Sequence, residues 1–316
     1  MKKISFVIPC YRSEKTIETV VNEIHETVTA DGRYDYEVIL VNDSSPDGVF
    51  EKITQLAEKN PRITGIDLSK NFGQHSAIMA GFSRVTGDIV VGLDDDGQTP
   101  ADEMFRLIDT LGDKYDLVFA KYKNKMHSGF RNFGSKINDK MAQILIGKPK
   151  KLKIMSYFAC KRYVVDEVLR YTNPYAYISG LLLRATNKVT NVEVNHRERL
   201  DGASGYTFKK LMLLWLNGFT AFSVKPLRIA TVIGFITAVV GFLYGVFIII
   251  NKLFINPGAP LGYSSTMAVM LFLGGMLMLI LGMVGEYVGR IYLSINRSPQ
   301  YVIRNTVGKG EEKDEG

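Results

Sequence analysis

The chain has 316 residues, of which 46% are hydrophobic and 22% charged, and it carries a formal net charge of +7. This charge suits an anionic partner, such as a phosphate compound or an anionic lipid surface. The basic residues are spread out and form no nucleic-acid-binding module, so we expect no nucleic-acid partner. Cys10 and Cys160 match no zinc-binding spacing, which predicts reduced thiols in a cytosolic domain.

The first third of the chain alternates short apolar runs with stretches of helical spacing. The apolar runs predict strands at residues 4–8, 37–41, 63–68, 89–91 and 116–120. The stretches between them predict helices at about residues 13–29, 48–60 and 76–84, and one after residue 99. This alternation predicts an α/β domain with a parallel sheet that is covered by helices on both faces.

Three consecutive carboxylates, Asp94, Asp95 and Asp96, follow the fourth predicted strand. The sequence Thr99-Pro100 then predicts the start of a helix. Ligands bind at the carboxyl ends of strands in sheets of this kind. Neighbouring carboxylates repel one another, so we expect a counter-charge, and hard oxygen ligands suit Mg²⁺ or Mn²⁺. The alternative is a solvated acidic loop, which is the commoner role for a run of charges.

Other residues follow the neighbouring predicted strands and would reach the same edge of the sheet. Pro9 and Tyr11 follow the first strand, and Asp43 follows the second. An aromatic ring, a carboxylate near the ribose or base, and an acidic loop that holds a metal suit a nucleoside diphosphate. Taken alone, Asp43 is typical of a turn and Tyr11 of a packing residue. Their convergence with the acidic loop favours a nucleotide site.

The middle of the chain is less regular than the first third. Helical spacing over residues 130–146 places Arg131 and Ser135 on one helix. An exposed helix beside a membrane is the alternative role for these two residues. The remaining elements that the pattern predicts are a strand at residues 154–161, a helix at 163–171 and a strand at 188–197.

The last third of the chain is much more apolar. Residues 206–228 predict one or two helices that lie in the membrane interface, with a helix in a soluble core as the alternative. Residues 229–250 and 264–285 contain no charged side chain and are long enough to cross a hydrocarbon core of roughly 30 Å. Basic residues precede the first segment and follow the second. This predicts that both of these flanks are cytoplasmic and that the short connecting loop is outside.

These patterns divide the chain into four parts. We expect a cytoplasmic catalytic domain at residues 1–205 and interfacial helices at 206–228. A two-helix transmembrane hairpin follows at 229–290, and a cytoplasmic tail at 291–316 is expected to be disordered after Val307. The apolar run after Met1 is too short for a signal peptide and ends at a proline, in agreement with a cytoplasmic catalytic domain.

Three segments of the chain together resemble family 2 glycosyltransferases. They are IPCY at residues 8–11 with Glu14, VNDSSPDG at 41–48, and DDDGQTP at 94–100. The likeness covers nearly the whole chain and is greatest to the polyprenyl-phosphate branch, which includes dolichyl-phosphate mannose synthases and bactoprenol glucosyltransferases. It implies a nucleotide-diphospho-sugar transferase domain of the GT-A, Rossmann-like fold, followed by interfacial helices and two transmembrane helices.

The resemblance also implies a role for each matching residue. The residues implied to contact the nucleotide sugar are Pro9, Tyr11, Glu14, Asp43, Asp94, Asp95, Lys121 and Arg199. The implied ligands of a Mg²⁺ or Mn²⁺ ion are Asp94, Asp96 and Gln98, of which the two aspartates count as catalytic. The residues implied to bind the phosphate of the acceptor lipid are Arg131 and Ser135.

The chain departs from the family at four points. Lys121 stands where an arginine is frequent, and Gly205 stands where the family has a lysine, for which Lys209 and Lys210 are candidate replacements. Ser179 replaces the arginine of an Arg-Gly pair, and Ser156 begins a segment that contains an aspartate in relatives. The Ser179 and Ser156 regions border the sugar, so glucose, N-acetylglucosamine, galactose and an amino-arabinose all remain open.

The resemblance predicts inverting, metal-dependent transfer of a sugar from a nucleotide sugar, such as UDP-glucose or UDP-N-acetylglucosamine, to undecaprenyl phosphate. It also implies a homo-oligomer, since bactoprenol relatives form tetramers. One alternative is a processive polysaccharide synthase, but those enzymes usually have more membrane spans and a Gln-x-x-Arg-Trp motif. The sequence around Trp215 does not match that motif. The other is a non-catalytic membrane scaffold, against which the intact acidic loop argues.

Overall fold

The computed structural model describes residues 1–122, 143, 148–174, 176–195, 197, 225–251, 254, 262–296 and 298–308. The chain forms two compact units. The first comprises Met1–Tyr206 together with Arg297–Gly316, and the second comprises Thr207–Asn296. The first unit therefore contains chain from both sides of the second.

The described part of the first unit has eight strands in one sheet. The strands are β1 (Lys2–Cys10), β2 (Tyr34–Asn42), β3 (Ile63–Leu68), β4 (Ile89–Gly92), β5 (Leu117–Tyr122), β6 (Phe158–Lys161), β7 (Val189–Val194) and β8 (Ile303–Gly308). The helices are α1 (Ile17–Asp31), α2 (Val49–Lys59), α3 (Gln74–Phe82), α4 (Met104–Thr110), α5 (Arg162–Leu169) and α6 (Ile178–Ala185), with a 3₁₀ turn at Ala101–Glu103.

The strand order is β7-β5-β6-β4-β1-β2-β3-β8. Strands β1 to β4 pair in parallel, as the alternation of strands and helices predicts. Strands β5 and β7 also pair in parallel, but the expectation of an all-parallel sheet is wrong for β6 and β8. Strand β6 enters between β4 and β5 and runs antiparallel to both, and β8 runs antiparallel to β3. The architecture is thus a mixed α/β sheet.

The central strands are buried on both faces, which explains why their sequences are continuously apolar. On one face, Ile4, Phe6 and Ile8 of β1 belong to the main hydrophobic core. On the same side, α1 contributes residues at helical spacing, namely Ile17, Val20, Val21, Ile24 and Val28. On the opposite face, α3 approaches β1 so closely that a Cβ at Gly81 would overlap Val7 Cγ1.

Two helices begin at positions that differ from the sequence prediction. Helix α1 begins at Ile17 rather than at 13, because the backbone of residues 12–14 is bound by the loop after β2. Helix α3 begins at Gln74 rather than at 76. The preceding Gly73, at φ +89°, presents its N–H to the Asp43 carboxylate, and the helix starts directly after it.

Strand β8 was not predicted, because residues 303–308 follow the apolar segments and were assigned to the cytoplasmic tail. They form the edge of the sheet beside β3, in the same unit as β1. The predicted disorder beyond residue 308 lies outside the described residues.

The second unit contains the helices α7 (Lys225–Ile250) and α8 (Tyr263–Ile295). Within them, Ala230–Ile248 and Phe272–Ile295 have mean hydropathies of 2.2 and 1.7, and most of their described side chains are exposed. By length and composition, both helices could cross a membrane. Of the predicted interfacial helices at residues 206–228, the part before residue 225 lies outside the described residues.

Candidate active site

The carboxyl ends of the central parallel strands gather their loops at one edge of the sheet. Asp94, two residues after β4, accepts hydrogen bonds from two other elements. The Nε2 of Gln74, the first residue of α3, donates to Asp94 Oδ1 at 2.9 Å. The Ser156 hydroxyl, just before β6, donates to Asp94 Oδ2. Asp94 is therefore fixed from both sides, as a binding or catalytic carboxylate needs to be.

The surroundings of Asp94 disfavour its negative charge. Removal of the carboxylate from water raises the pKa of Asp94 to about 6, and the nearby charges of Asp96 and Asp95 add to the increase. The hydrogen bonds from Ser156 and Gln74 act in the opposite direction. A desolvated carboxylate among like charges is stabilised as an anion when a cation joins it. The loop therefore has the electrostatics of a cation site.

Asp95 fixes the acidic loop to the segment after β1. The backbone N–H of Tyr11 donates to Asp95 Oδ2 at 3.0 Å, and the Thr16 hydroxyl donates to the Asp95 carbonyl at 2.7 Å. Burial raises the pKa of Asp95. The structure thus places this carboxylate against the protein backbone, whereas the resemblance implies a contact with the nucleotide sugar.

Asp96 and Gln98 form the turn of the acidic loop. The Gln98 N–H donates to Asp96 Oδ1 at 3.1 Å, and the Gly97 between them has φ +68°, which favours glycine. The Gln98 carbonyl accepts a hydrogen bond from the N–H of Arg197 at 2.9 Å. The turn is consequently tied to the segment that leads to Arg199, which itself lies outside the described residues.

The donor groups of the loop fit a hard divalent cation. Among the described residues, no three side chains of His, Cys, Asp or Glu converge into a ready-made metal cage. Mg²⁺ does not need one, since it typically binds through one or two carboxylates while substrate phosphates and water complete its shell. Asp94 and Asp96 can supply those carboxylates, and Gln98 an amide oxygen.

Asp43, directly after β2, is 4% exposed and organises the loop after β3. Its Oδ1 accepts the N–H of Phe72 at 2.7 Å, and its Oδ2 accepts the N–H of Gly73 at 2.9 Å. Burial raises the pKa of Asp43, while these two hydrogen bonds oppose the increase. This carboxylate therefore orders the entrance to α3 and so positions Gln74 for its contact with Asp94.

The segment after β1 is joined to the loop after β2 by a second set of contacts. Glu14 Oε2 accepts the Gly48 N–H at 3.0 Å, and the Glu14 N–H donates to Asp47 Oδ2 at 3.1 Å. Tyr11 is 44% exposed, and the Arg12 guanidinium lies 5.5 Å from its ring centroid. Pro9 lies within β1 opposite Val41 of β2. The two loops are thus coupled next to the acidic loop, with the Tyr11 ring exposed.

The remaining predicted residues are placed differently or lie outside the description. The Lys121 Nζ lies 2.7 Å from Glu193 Oε1 on the neighbouring strand β7, and both side chains are about half exposed. Arg131, Ser135 and Arg199 lie outside the described residues. The structure therefore brings together the acidic loop, Asp43 and the segment after β1.

Sequence reasoning missed the two partners of Asp94. Gln74 follows the third strand and so belongs to the same edge of the sheet, which is a signal that could have identified it. Ser156 belongs to the segment noted as a departure from the family, but periodicity gives no sign of its contact with Asp94. Both partners come from elements distant in sequence, and only the sheet order brings them to the acidic loop.

Comparisons with known proteins identify the family of the chain. Residues 5–169 match the model of glycosyl transferase family 2, and residues 225–291 match that of the GtrB C-terminal hairpin. The chain is 32% identical to an undecaprenyl-phosphate 4-deoxy-4-formamido-L-arabinose transferase of Klebsiella pneumoniae (strain 342), across 98% of this chain and 95% of that protein. It is 34% identical to the transferase of the same name from Photorhabdus laumondii, across 99% and 97%.

Among solved structures, the fold resembles glucosyl-3-phosphoglycerate synthase of Mycobacterium tuberculosis in complex with Mn²⁺ and UDP-glucose. The TM-score is 0.52 at 18% identity, covering 69% of this chain and 77% of that one. The same enzyme with Mg²⁺ and UDP gives 0.51 at 19% identity over the same shares. At this identity the likeness supports the fold. With a family model over half of its length and relatives that match it end to end, the chain belongs to glycosyl transferase family 2, in its polyprenyl-phosphate branch, and is a GT-A glycosyltransferase.

Proposed function

We propose that this glycosyltransferase moves a sugar from a UDP-sugar to undecaprenyl phosphate, with inversion at the anomeric carbon and with Mg²⁺ or Mn²⁺. The observation that carries the proposal is the site of Asp94, a desolvated carboxylate fixed by Gln74 and Ser156 beside further carboxylates. The end-to-end likeness to undecaprenyl-phosphate transferases supports the choice of acceptor.

The donor is the finer part of the proposal. UDP is the nucleotide in the solved synthase of the same fold, although that enzyme is too distant to identify the sugar. The names of the end-to-end relatives favour a formamido-arabinose over glucose or N-acetylglucosamine as the sugar. Ser156 touches Asp94 and belongs to a segment that departs from the family, so its proposed role is to contribute to the choice of sugar.

The chemistry asks mainly for positioning. The acceptor phosphate is already an anion, so attack on the anomeric carbon needs no strong general base, and the geometry of approach dominates. Asp94, Asp96 and Gln98 would hold the divalent cation, which neutralises charge on the departing diphosphate when it is bound. Attack from the face opposite the leaving group gives inversion.

The acceptor would be recognised by residues outside the described part of the chain. Arg131 and Ser135 are proposed to bind its phosphate, and Arg199 to reach a phosphate of donor or acceptor. The hydrogen bond between Arg197 and Gln98 supports the role of Arg199, since only one residue separates Arg199 from Arg197 in the sequence. The two apolar helices would anchor the protein at the membrane that holds the lipid, with the catalytic unit and both termini in the cytoplasm.

The test is a panel of radiolabelled UDP-sugars incubated with purified full-length protein, undecaprenyl phosphate and Mn²⁺. We expect one sugar to enter the lipid phase as a single monosaccharide, and chelation with EDTA to stop the transfer. Label in a growing polymer would indicate a processive synthase instead. Absence of both transfer and Mn²⁺-dependent UDP binding would indicate a non-catalytic scaffold.

A matched pair of variants tests the acceptor assignment. Arg131→Ala should raise the KM for undecaprenyl phosphate about tenfold or more with little change in the KM for the donor, because a charge-assisted contact to phosphate is lost. Arg184→Ala, which removes an exposed arginine from α6, is the control and should leave both values near those of the wild type. An unchanged acceptor KM in Arg131→Ala would contradict the assignment.

A further inference from the structure

The strand that follows the two apolar helices carries an arginine whose position is unusual. In the pairing of β3 with β8, Asp67 lies opposite Asn305 and Leu68 lies opposite Ile303. Arg304 is thus the extra residue of a β-bulge, a device that turns a side chain away from the direction a regular strand would give it. Its Nη1 lies 3.4 Å from Asp67 Oδ2, and its Nη2 donates to the Ser69 carbonyl at 2.6 Å.

Asp67 links Arg304 to the edge of the sheet that carries the acidic loop. Its side chain is 8% exposed, and its other oxygen, Oδ1, accepts the Asn42 amide at 2.7 Å. The Asn42 carbonyl Oδ1 in turn accepts the Ser45 N–H at 3.0 Å. The chain of contacts therefore runs from Arg304 through Asp67 and Asn42 to the loop after β2.

The loop at the end of this chain of contacts is part of the proposed nucleotide site. Ser45 Oγ accepts the Arg12 N–H at 2.8 Å and donates to Asp47 Oδ1 at 2.6 Å. Asp43, two residues before Ser45, orders the loop in front of α3. A change at Asp67 can therefore reach both loops that flank the acidic loop.

We propose that Arg304 is a positioning residue for the nucleotide donor, acting through Asp67 and Asn42 on the loop of residues 42–48. It holds the buried carboxylate in the orientation that receives the Asn42 amide, which in turn leaves the Asn42 carbonyl free for Ser45. The identity of the ligand rests on the proposed function. The ordering of residues 42–48 by Arg304 does not. It gives a segment outside the family 2 match, residues 5–169, a part in donor binding.

Arg62 provides a matched control. Its guanidinium lies 3.4 Å from Asp35 Oδ1 of β2, the same separation as in the Arg304–Asp67 pair, and Arg62 directly precedes β3. The Arg62–Asp35 pair is at the amino ends of β2 and β3, away from the edge that carries the acidic loop, and the Asp35 side chain is 48% exposed. Removal of Arg62 therefore removes an arginine ion pair of the same length without touching the donor loops.

The experiment compares full-length wild type, Arg304→Ala, Arg304→Lys and Arg62→Ala in detergent. Amide hydrogen exchange over residues 42–48 should be faster in Arg304→Ala and unchanged in Arg62→Ala. The Kd for UDP with Mn²⁺ and the donor KM should rise about tenfold in Arg304→Ala, with less than a twofold change in the KM for undecaprenyl phosphate. Arg304→Lys keeps the charge but not the contact through two nitrogens. Its Kd for UDP and its donor KM should lie between those of the wild type and of Arg304→Ala.

The outcomes separate the two proposals. If wild type binds UDP and Arg304→Ala binds it equally well, or if Arg62→Ala shows the same loss, the positioning role is wrong and the proposed function stands. If wild type does not bind UDP, the proposed donor is wrong, and the exchange measurement still decides whether Arg304 orders the loop. Should Arg304→Ala fail to fold, the Arg304→Lys comparison gives the same decision.

Discussion

A carboxylate that is withdrawn from water among other carboxylates needs a cation to be stable as an anion. Asp94 is such a group, and the contacts of its two oxygens with Gln74 and Ser156 fix its direction. Asp95 and Asp96, although adjacent in sequence, have different surroundings, one bound to the segment after β1 and the other closing a turn. Three identical side chains in a row thus take three separate positions.

Asp94→Ala and Asp96→Ala should each lower transfer by about a hundredfold or more, because each removes a proposed anchor of the metal on the diphosphate. Asp109→Ala is the control, since it removes an exposed aspartate that pairs with Arg33 in the same unit. Turnover with a saturating UDP-sugar gives the measurement, and thermal melting verifies folding. Near-normal turnover in either loop variant would exclude that residue as an essential metal ligand.

The raised pKa of Asp94, about 6, predicts a pH dependence of metal binding. Below that pH a proton competes with the cation, so Mn²⁺ affinity should fall up to tenfold per pH unit. Ser156→Ala removes a hydrogen bond that lowers the pKa, so the fall should begin at higher pH. Electron paramagnetic resonance of free Mn²⁺ measures both, and a pH-independent affinity between pH 5 and 7 would argue against Asp94 as a ligand.

The same pKa fixes the sign of a stability effect. Because the pKa of Asp94 in the fold is higher than its ordinary value of 3.8, the folded state binds this proton more tightly than the unfolded state does. The contribution to metal-free stability is therefore full below about pH 4 and is lost as the pH rises through about 6. Asp94→Asn should remove this part of the pH dependence, as denaturant unfolding at several pH values would show.

At the scale of elements, the pattern of residues predicts strands β1 to β5 and the helices between them, because each strand is a short apolar run that the turns around it delimit. It does not predict the order of the strands, since β6 enters between β4 and β5 by long-range pairing. It also misses the contact between Ser156 and Asp94, which depends on that order. The acidic loop and Asp43 could be recognised, because their signals are local.

Helix α3 gives a prediction at this scale, because Gly81 lets it pack closely on β1. A Cβ at Gly81 would overlap Val7 Cγ1 and lie 3.2 Å from Val41 Cγ2. Gly81→Ala should therefore destabilise the fold by about 1–3 kcal/mol and displace Gln74 from Asp94, so activity should fall further than stability alone explains. Gly112→Ala, with no atom within 4 Å of the new Cβ, is the control. Equal melting temperatures in the two variants would contradict the close packing.

At the scale of the whole molecule, strands from before and after both apolar helices share one sheet. The two chain segments that flank the helical hairpin must therefore lie on the same side of any membrane that the hairpin enters. If the helices cross it, they cross it an even number of times. The flanking basic residues also predict that the two flanks lie on one side, and they further predict that this side is the cytoplasm.

Reporter fusions test that topology. A fluorescent protein fused after Gly316 should be fluorescent, as expected for a cytoplasmic end, and alkaline phosphatase inserted between residues 255 and 261 should be active, as expected outside the cytoplasm. Alkaline phosphatase inserted after Gly112, between α4 and β5, serves as the control and should be inactive. Activity of the enzyme at both internal positions would be inconsistent with a two-span hairpin.

Strand β8 also bears on the order in which the protein matures during synthesis. A ribosome makes residues 303–308 after both apolar helices, so β3 lacks its antiparallel partner β8 until then. An uncovered strand edge invites pairing with foreign chains. Nascent molecules whose hairpin is delayed at the insertion machinery would therefore present this edge to other polypeptides, and prompt insertion would shorten that exposure.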